Sequence, residues 1–163
     1  MRIVVEGASK LDASYGLINV RLAMALDGLG HEVALSPWDQ SVESCQKAVS
    51  NAYPSYAGMS ITTADRTVAD VRIRQIWPPV WSRPHDDSRL VVIQPWEFGS
   101  VPLSWLEGIS GVDAIWVYSS FVKAGYVQSG VDPDKVWIVP AGADLARAMR
   151  RTYAHVNDFH SLW

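Results

Sequence analysis

Short β-branched runs that alternate with segments of helical spacing leave this chain few ways to fold. Ile3 to Val5 is the first such run. It leads through Glu6-Gly7-Ala8-Ser9 into a loop, as a buried parallel strand does. Leu22, Leu26 and Leu29 then recur at helical intervals, with Gly28 and Gly30 as stop signals. His31-Glu32-Val33-Ala34-Leu35 reads as the next strand and ends at Ser36-Pro37, which completes a βαβ unit with a crossover of the expected length.

The alternation continues. Ser41 to Ser50 reads as helix, whereas Asn51 to Thr67, rich in Ser, Thr, Tyr and Gly, follows no clear period. Val71 to Ile76 alternates apolar residues with Arg72, Arg74 and Gln75, which predicts a third strand nearer an edge of the sheet. Pro78, Pro79, Pro84 and the polar run from His85 to Arg89 mark a loop. Leu90 to Ile93, Ala114 to Val117 and Val136 to Val139 are further strands. Helices are expected between them, at Pro102 to Ile109 and Ser120 to Ser129. The fold class is therefore α/β, a Rossmann-like doubly wound, mainly parallel sheet of about six strands in the order 3-2-1-4-5-6. One domain is expected over 1–144, followed by a helical tail at 145–163 in which Leu145, Met149 and Tyr153 share a face.

At 163 residues the chain can bury one substantial core but not two. Hydrophobic residues make up 48% and charged residues 19%, which excludes a disordered chain. The net charge is −3 and the basic residues are scattered, so neither nucleic acid nor an anionic membrane surface is the expected partner. Cys45 is the single cysteine and cannot form an internal disulfide; it reads as a small packing residue rather than a nucleophile. The first apolar run is too short for a signal peptide, and no stretch is long enough to span a bilayer. A reducing, cytoplasmic location is expected.

In an open parallel sheet, ligands bind beyond the carboxyl ends of the strands. The loop after the first strand places Ser14, Tyr15 and Gly16 at the start of a helix. Unpaired amides and the helix dipole attract phosphate there, and Gly16 either admits a diphosphate or is simply a turn glycine. The loop has no G-x-G-x-x-G fingerprint, and no P-loop or G-x-S-x-G elbow occurs anywhere in the chain. His31, His85, His155 and His160 lack metal-ligand spacing, so no metal is expected, with His85 a distant candidate at most.

The densest cluster is Gln94-Pro95-Trp96-Glu97-Phe98-Gly99-Ser100, which sets an amide, an indole and a carboxylate in one strand-end loop. Glu97 is the candidate catalytic residue, able to orient or deprotonate a sugar hydroxyl, or else it caps the following turn. Gln94, Trp96, Tyr15, Ser119 and Trp38 are candidates for holding the substrate, although capping is the default role of Ser119. The chain has eight tryptophans, and those beside strand-end loops (Trp38, Trp77, Trp81 and Trp96) are either platforms for sugar rings or packing beneath loops.

Two stretches resemble family 4 glycosyltransferases. The first is Gly16 through Leu35, with Gly30-His31-Glu32-Val33 at its most typical point. The second runs from Ser119-Ser120-Phe121-Val122 through Ser129-Gly130-Val131-Asp132-Pro133-Asp134-Lys135-Val136 to Val139-Pro140-Ala141-Gly142-Ala143-Asp144, and is similar to the end of that family's N-terminal domain. With the cluster at Gln94 to Ser100, the resemblance covers most of 1–144. It implies the GT-B architecture of two Rossmann-like domains, with retaining transfer from a nucleotide sugar as co-substrate and no metal or other cofactor. Gly16 and Ser14 would then lie in the loop near the donor diphosphate, with Trp96 and Glu97 near the reacting groups.

The chain departs from the family pattern in three ways. No His stands in the loop after the fourth strand, where Trp96 or Glu97 occupies the region, and Ala141 stands where the hinge usually carries Asn. No Glu-x7-Glu of a donor domain occurs. The resemblance therefore implies an acceptor-binding N-terminal half, inactive alone for want of a donor clamp. The implied partners are a sugar-containing acceptor and a second glycosyltransferase domain or a further copy of this chain. Residues 145–155 would cover the face that a second domain otherwise shields. The alternatives are a non-catalytic module that binds a sugar or a protein and, disfavoured by the missing glycine fingerprint, a nicotinamide-dependent oxidoreductase.

Overall fold

The computed structural model describes residues 1–63 and 67–142. Its elements are β1 (Arg2–Gly7), α1 (Ser14–Gly28), β2 (Glu32–Pro37), α2 (Val42–Ala52), β3 (Ser60–Ile61), β4 (Val71–Gln75), β5 (Arg89–Ile93), α3 (Leu103–Ser110), β6 (Ala114–Val117), α4 (Ser120–Gln128) and β7 (Val136–Ile138). The expected strands and helices are all present over 1–142, with ends displaced by a few residues at most. Ser41 caps α2 by accepting from the Ser44 amide, and Glu43 complements the dipole of the same first turn. The boundary at 144 and the expected tail helix at 145–163 lie outside the described residues.

The seven strands form a single parallel sheet in the order β3-β2-β1-β4-β5-β6-β7. The architecture is the expected doubly wound one. The strand at Val71–Gln75 is nevertheless central, between β1 and β5, and not near an edge. The edge position beside β2 belongs to Ser60–Ile61, a pair of residues within the stretch that showed no period. Arg72 and Arg74 suggested an edge because charged residues usually face water. Here both are buried and neutralised by ion pairs, so the polar alternation in β4 reports internal salt bridges.

Side chains alternate across the strands and build two cores on opposite faces. Val91 and Ile93 of β5 join Ile3, Val5, Leu35 and Ile73, covered by Val20 and Ala23 of α1 and Cys45 and Val49 of α2. Leu90 and Val92 of the same strand join Ile115, Val117 and Val136, covered by Ile109 of α3 and Val122 and Tyr126 of α4. Cys45 is fully buried, and burial pushes its thiol up, so it packs as the sequence suggested.

The α3/α4 face carries no described helix over β1, β2 and β4. Two irregular connections lie there instead. The β3–β4 connection brings Ala69 onto Val4 and Ala34, and its Thr67 carbonyl accepts from Arg72. The β4–β5 connection offers the carbonyls of Val80 and Ser82 to Arg74 and the carboxylate of Asp86 to Arg72. Between these connections and the sheet lies a cavity of about 700 Å³.

Candidate functional site at the strand ends

The chain builds outward from β1 through β2 to β3 and then crosses back to β4 on the other side of β1, which makes the carboxyl ends of β1 and β4 the switch point of the sheet. That crevice is closely built. Gly7 has φ 124°, and a side chain there would run into the Gln75 carbonyl, which already accepts from the Ala8 amide. The buried Asn19 amide donates from α1 to the carbonyls of both Ala8 and Gln75, tying helix, loop and β4 together.

The β1–α1 loop is held from the other side by Asp39. Its carboxylate accepts from the Ser9 amide at 2.9 Å, the Ser9 hydroxyl at 2.8 Å and the Lys10 amide at 3.2 Å. Burial pushes the Asp39 carboxyl up, but these hydrogen bonds outweigh it and leave it below its ordinary value. An acidic group just past the second strand, where a dinucleotide fold would bind ribose, is thus engaged with the β1–α1 loop.

Gly16 is needed because a side chain there would collide with the backbone of Lys10. The close approach that Gly16 permits is therefore made by the protein's own loop. Ser14 is exposed at the first position of α1, where neither a side-chain cap nor an acidic residue occupies the helix N-terminus. The amides of this turn remain a place for an anion.

Tyr15, on that first turn, faces a polar set brought in by three strands. Gln75 ends β4 and donates from Nε2 to the Tyr118 hydroxyl at 2.7 Å. Gln94 follows β5, donates to the Pro95 carbonyl and is fully buried, as is Gln75. The Oε1 atoms of both glutamines lack hydrogen-bond partners among the described residues. Burial, then Tyr118 and Glu97, push the Tyr15 phenol up, against an opposing contribution from the Gln94 amide. Burial likewise raises Tyr118, against its bond from Gln75. Both phenols therefore stay protonated near neutral pH and can donate. Buried carboxamide oxygens without partners are costly unless something donates to them, and hydroxyl groups can.

Glu97 is exposed at the rim of this set. Trp96 is half-buried in an aromatic cluster, edge-on to Trp105 at 4.9 Å and Phe98 at 5.0 Å and stacked on Trp77 at 6.5 Å. Its indole N–H donates to the Ser100 carbonyl, closing the loop on itself. Ser119 caps α4 by accepting from the Val122 amide, its default role.

Tyr15, Gln94 and Glu97 thus come together, with Trp96 beside them in the same loop. Trp38 does not join them: it lines the cavity on the α3/α4 face, beneath the Arg74 guanidinium at 5.0 Å, and His85 lines that cavity too. Gln75, Tyr118 and Asn19 were not among the site candidates named from the sequence. A glutamine at the carboxyl end of a strand was the available signal for Gln75, since Gln94 stands in the corresponding place just after β5. Among the described residues, no cluster of His, Cys, Asp and Glu could hold a metal ion, and no helix is long and apolar enough to cross a membrane. No family model, no curated protein and no solved structure matches the chain.

Proposed function

We propose that this chain is the acceptor-side Rossmann-like domain of a nucleotide-sugar-dependent retaining glycosyltransferase, in which a second domain supplies the donor clamp. The observation that carries the reading is the pair of unpartnered carboxamide oxygens, Gln75 and Gln94, set beside two protonated phenols at the strand ends. Neutral donors and acceptors in that arrangement suit the hydroxyl groups of a sugar acceptor. Glu97, at the rim, would orient or deprotonate the hydroxyl that is glycosylated. The uncapped start of α1, at Ser14 to Gly16, would face the donor diphosphate.

A non-catalytic sugar-binding module is the second reading. It is favoured by the exposure of Glu97, which has no hydrogen-bond partner among the described residues to hold it for proton transfer. Calorimetric titration with UDP, GDP, their sugar conjugates and free sugars, followed by a sugar-release assay, tests both. Sugar binding that Tyr15→Phe weakens, without turnover by residues 1–163 alone, is the expected result. Turnover by this chain unaided overturns the half-enzyme reading, and tight NADH binding overturns both.

A further inference from the structure

We propose that the cavity on the α3/α4 face is a second binding site, one that takes a neutral, hydroxyl-rich ring of monosaccharide size. It is distinct from the strand-end site and does not rest on glycosyl transfer. Its floor is the polar side of β1, β2 and β4, with Glu6, Ser36, Arg72 and Arg74 in its lining and Trp38 and Asp86 on its walls.

Most of the polar groups here already have work. Glu6 accepts from Arg74 Nε at 2.7 Å and from Arg72 Nη1 at 3.4 Å, and Asp86 accepts from Arg72 Nη2 at 2.6 Å. These bonds, with those to the carbonyls of Thr67, Val80 and Ser82, fasten the two connections to the sheet. Were that their whole purpose, nothing polar would be left over. Ser36 is left over. The residue belongs to the lining and is only 1% exposed, and its buried hydroxyl has no partner among the described residues. Burying an unsatisfied hydroxyl is unfavourable, whereas a hydroxyl-bearing ligand would satisfy it.

The charge balance selects the ligand class. Glu6 and Asp86 offset Arg72 and Arg74, and Arg83, the third guanidinium in the lining, is paired with Asp113, so the cavity offers no unpaired guanidinium to repay the desolvation of a phosphate or carboxylate. A neutral polyol avoids that cost. Asp86 keeps about a quarter of its side chain exposed and can accept from a hydroxyl. Trp38 supplies an apolar wall: Arg74 lies over one part of the indole and fixes it, while the residue remains 38% exposed. A volume of about 700 Å³ falls within the range of small-ligand sites.

The test is heteronuclear NMR of the whole chain titrated separately with glucose, galactose, mannose, N-acetylglucosamine and inorganic phosphate. The proposal expects saturable shifts from at least one sugar at the Trp38 indole N–H and the amides around Ser36 and His85. It expects no such shifts from phosphate. Trp38→Ala should weaken that binding at least about tenfold. Ser36→Ala, which is smaller and less disruptive, should weaken it about two- to tenfold, the range of one hydrogen bond. Shifts from phosphate alone overturn the ligand class. Sugar shifts confined to Tyr15, Gln94 and Tyr118 overturn the second site while sparing the strand-end reading, as does binding at the groove that is indifferent to both variants. Silence from every sugar into the tens of millimolar overturns it as well.

Discussion

Replacing Glu6 with Gln isolates the interaction on which the centre of the sheet depends. The carboxylate is 1% exposed and faces two buried guanidiniums. Its loss does not affect them equally. Arg72 keeps Asp86 as a counter-ion at 2.6 Å, whereas Arg74 is left with the neutral carbonyls of Val80 and Ser82 and the face of Trp38. The variant therefore strands one buried positive charge, which costs about 3–5 kcal/mol when a buried pair loses a partner. With a urea dependence of about 2 kcal/mol per molar, the unfolding midpoint should fall by roughly 1.5–2.5 M, a large part of the stability of a domain this size. Urea titration followed by tryptophan fluorescence measures it. The double variant Glu6→Gln/Arg74→Met should lose about 2 kcal/mol less than the two single losses summed, because it removes the stranded charge. A loss below about 1 kcal/mol for Glu6→Gln, or strictly additive losses, would show that the network is screened like a surface pair and would refute the reasoning.

Three further outcomes follow from the same geometry. Gly125→Ala would push a methyl group into the Gly99 carbonyl and should destabilise the fold by about 1–3 kcal/mol, measurable by the same titration. Gly16→Ala should displace the Lys10 loop, visible as amide shifts at Ser9 and Lys10 and a weaker hold by Asp39. The hydrogen bonds of Arg72, and then of Ser88, hold the Asp86 carboxyl well below the usual carboxylate range despite an opposing contribution from burial. A depressed folded pKa contributes stability that is present above the unfolded value of about 3.9 and is lost as pH falls through the lower folded value. Thermal melts from about pH 6 to about pH 2 should therefore show Asp86→Asn with a flatter acid limb than the unaltered protein; identical limbs would remove Asp86 as a contributor.

Much of the fold was legible in the residues themselves. Ile3 to Val5, Leu90 to Ile93 and Ala114 to Val117 announce buried parallel strands because both of their faces must be apolar, and Leu22, Leu26 and Leu29 announce a helix because one face must be. Local periodicity reports how much of an element meets the core, and that is a local property. It carries no information about which strand lies beside which. The central place of Val71–Gln75 was hidden for that reason: Arg72 and Arg74 have the pattern of a solvated face until Glu6, 66 and 68 residues away in sequence, is brought against them. Ser60–Ile61 was hidden because two residues are too few to show a period. The site divides in the same way. Tyr15, Gln94 and Glu97 could be named because they stand in, or at the end of, the segments that follow strands in the chain. Their meeting with Gln75 and Tyr118, and the separation of Trp38 into another cavity, were decided only when the sheet assembled. Burial and charge compensation act through space between segments remote in sequence, and only the tertiary structure brings those segments into contact.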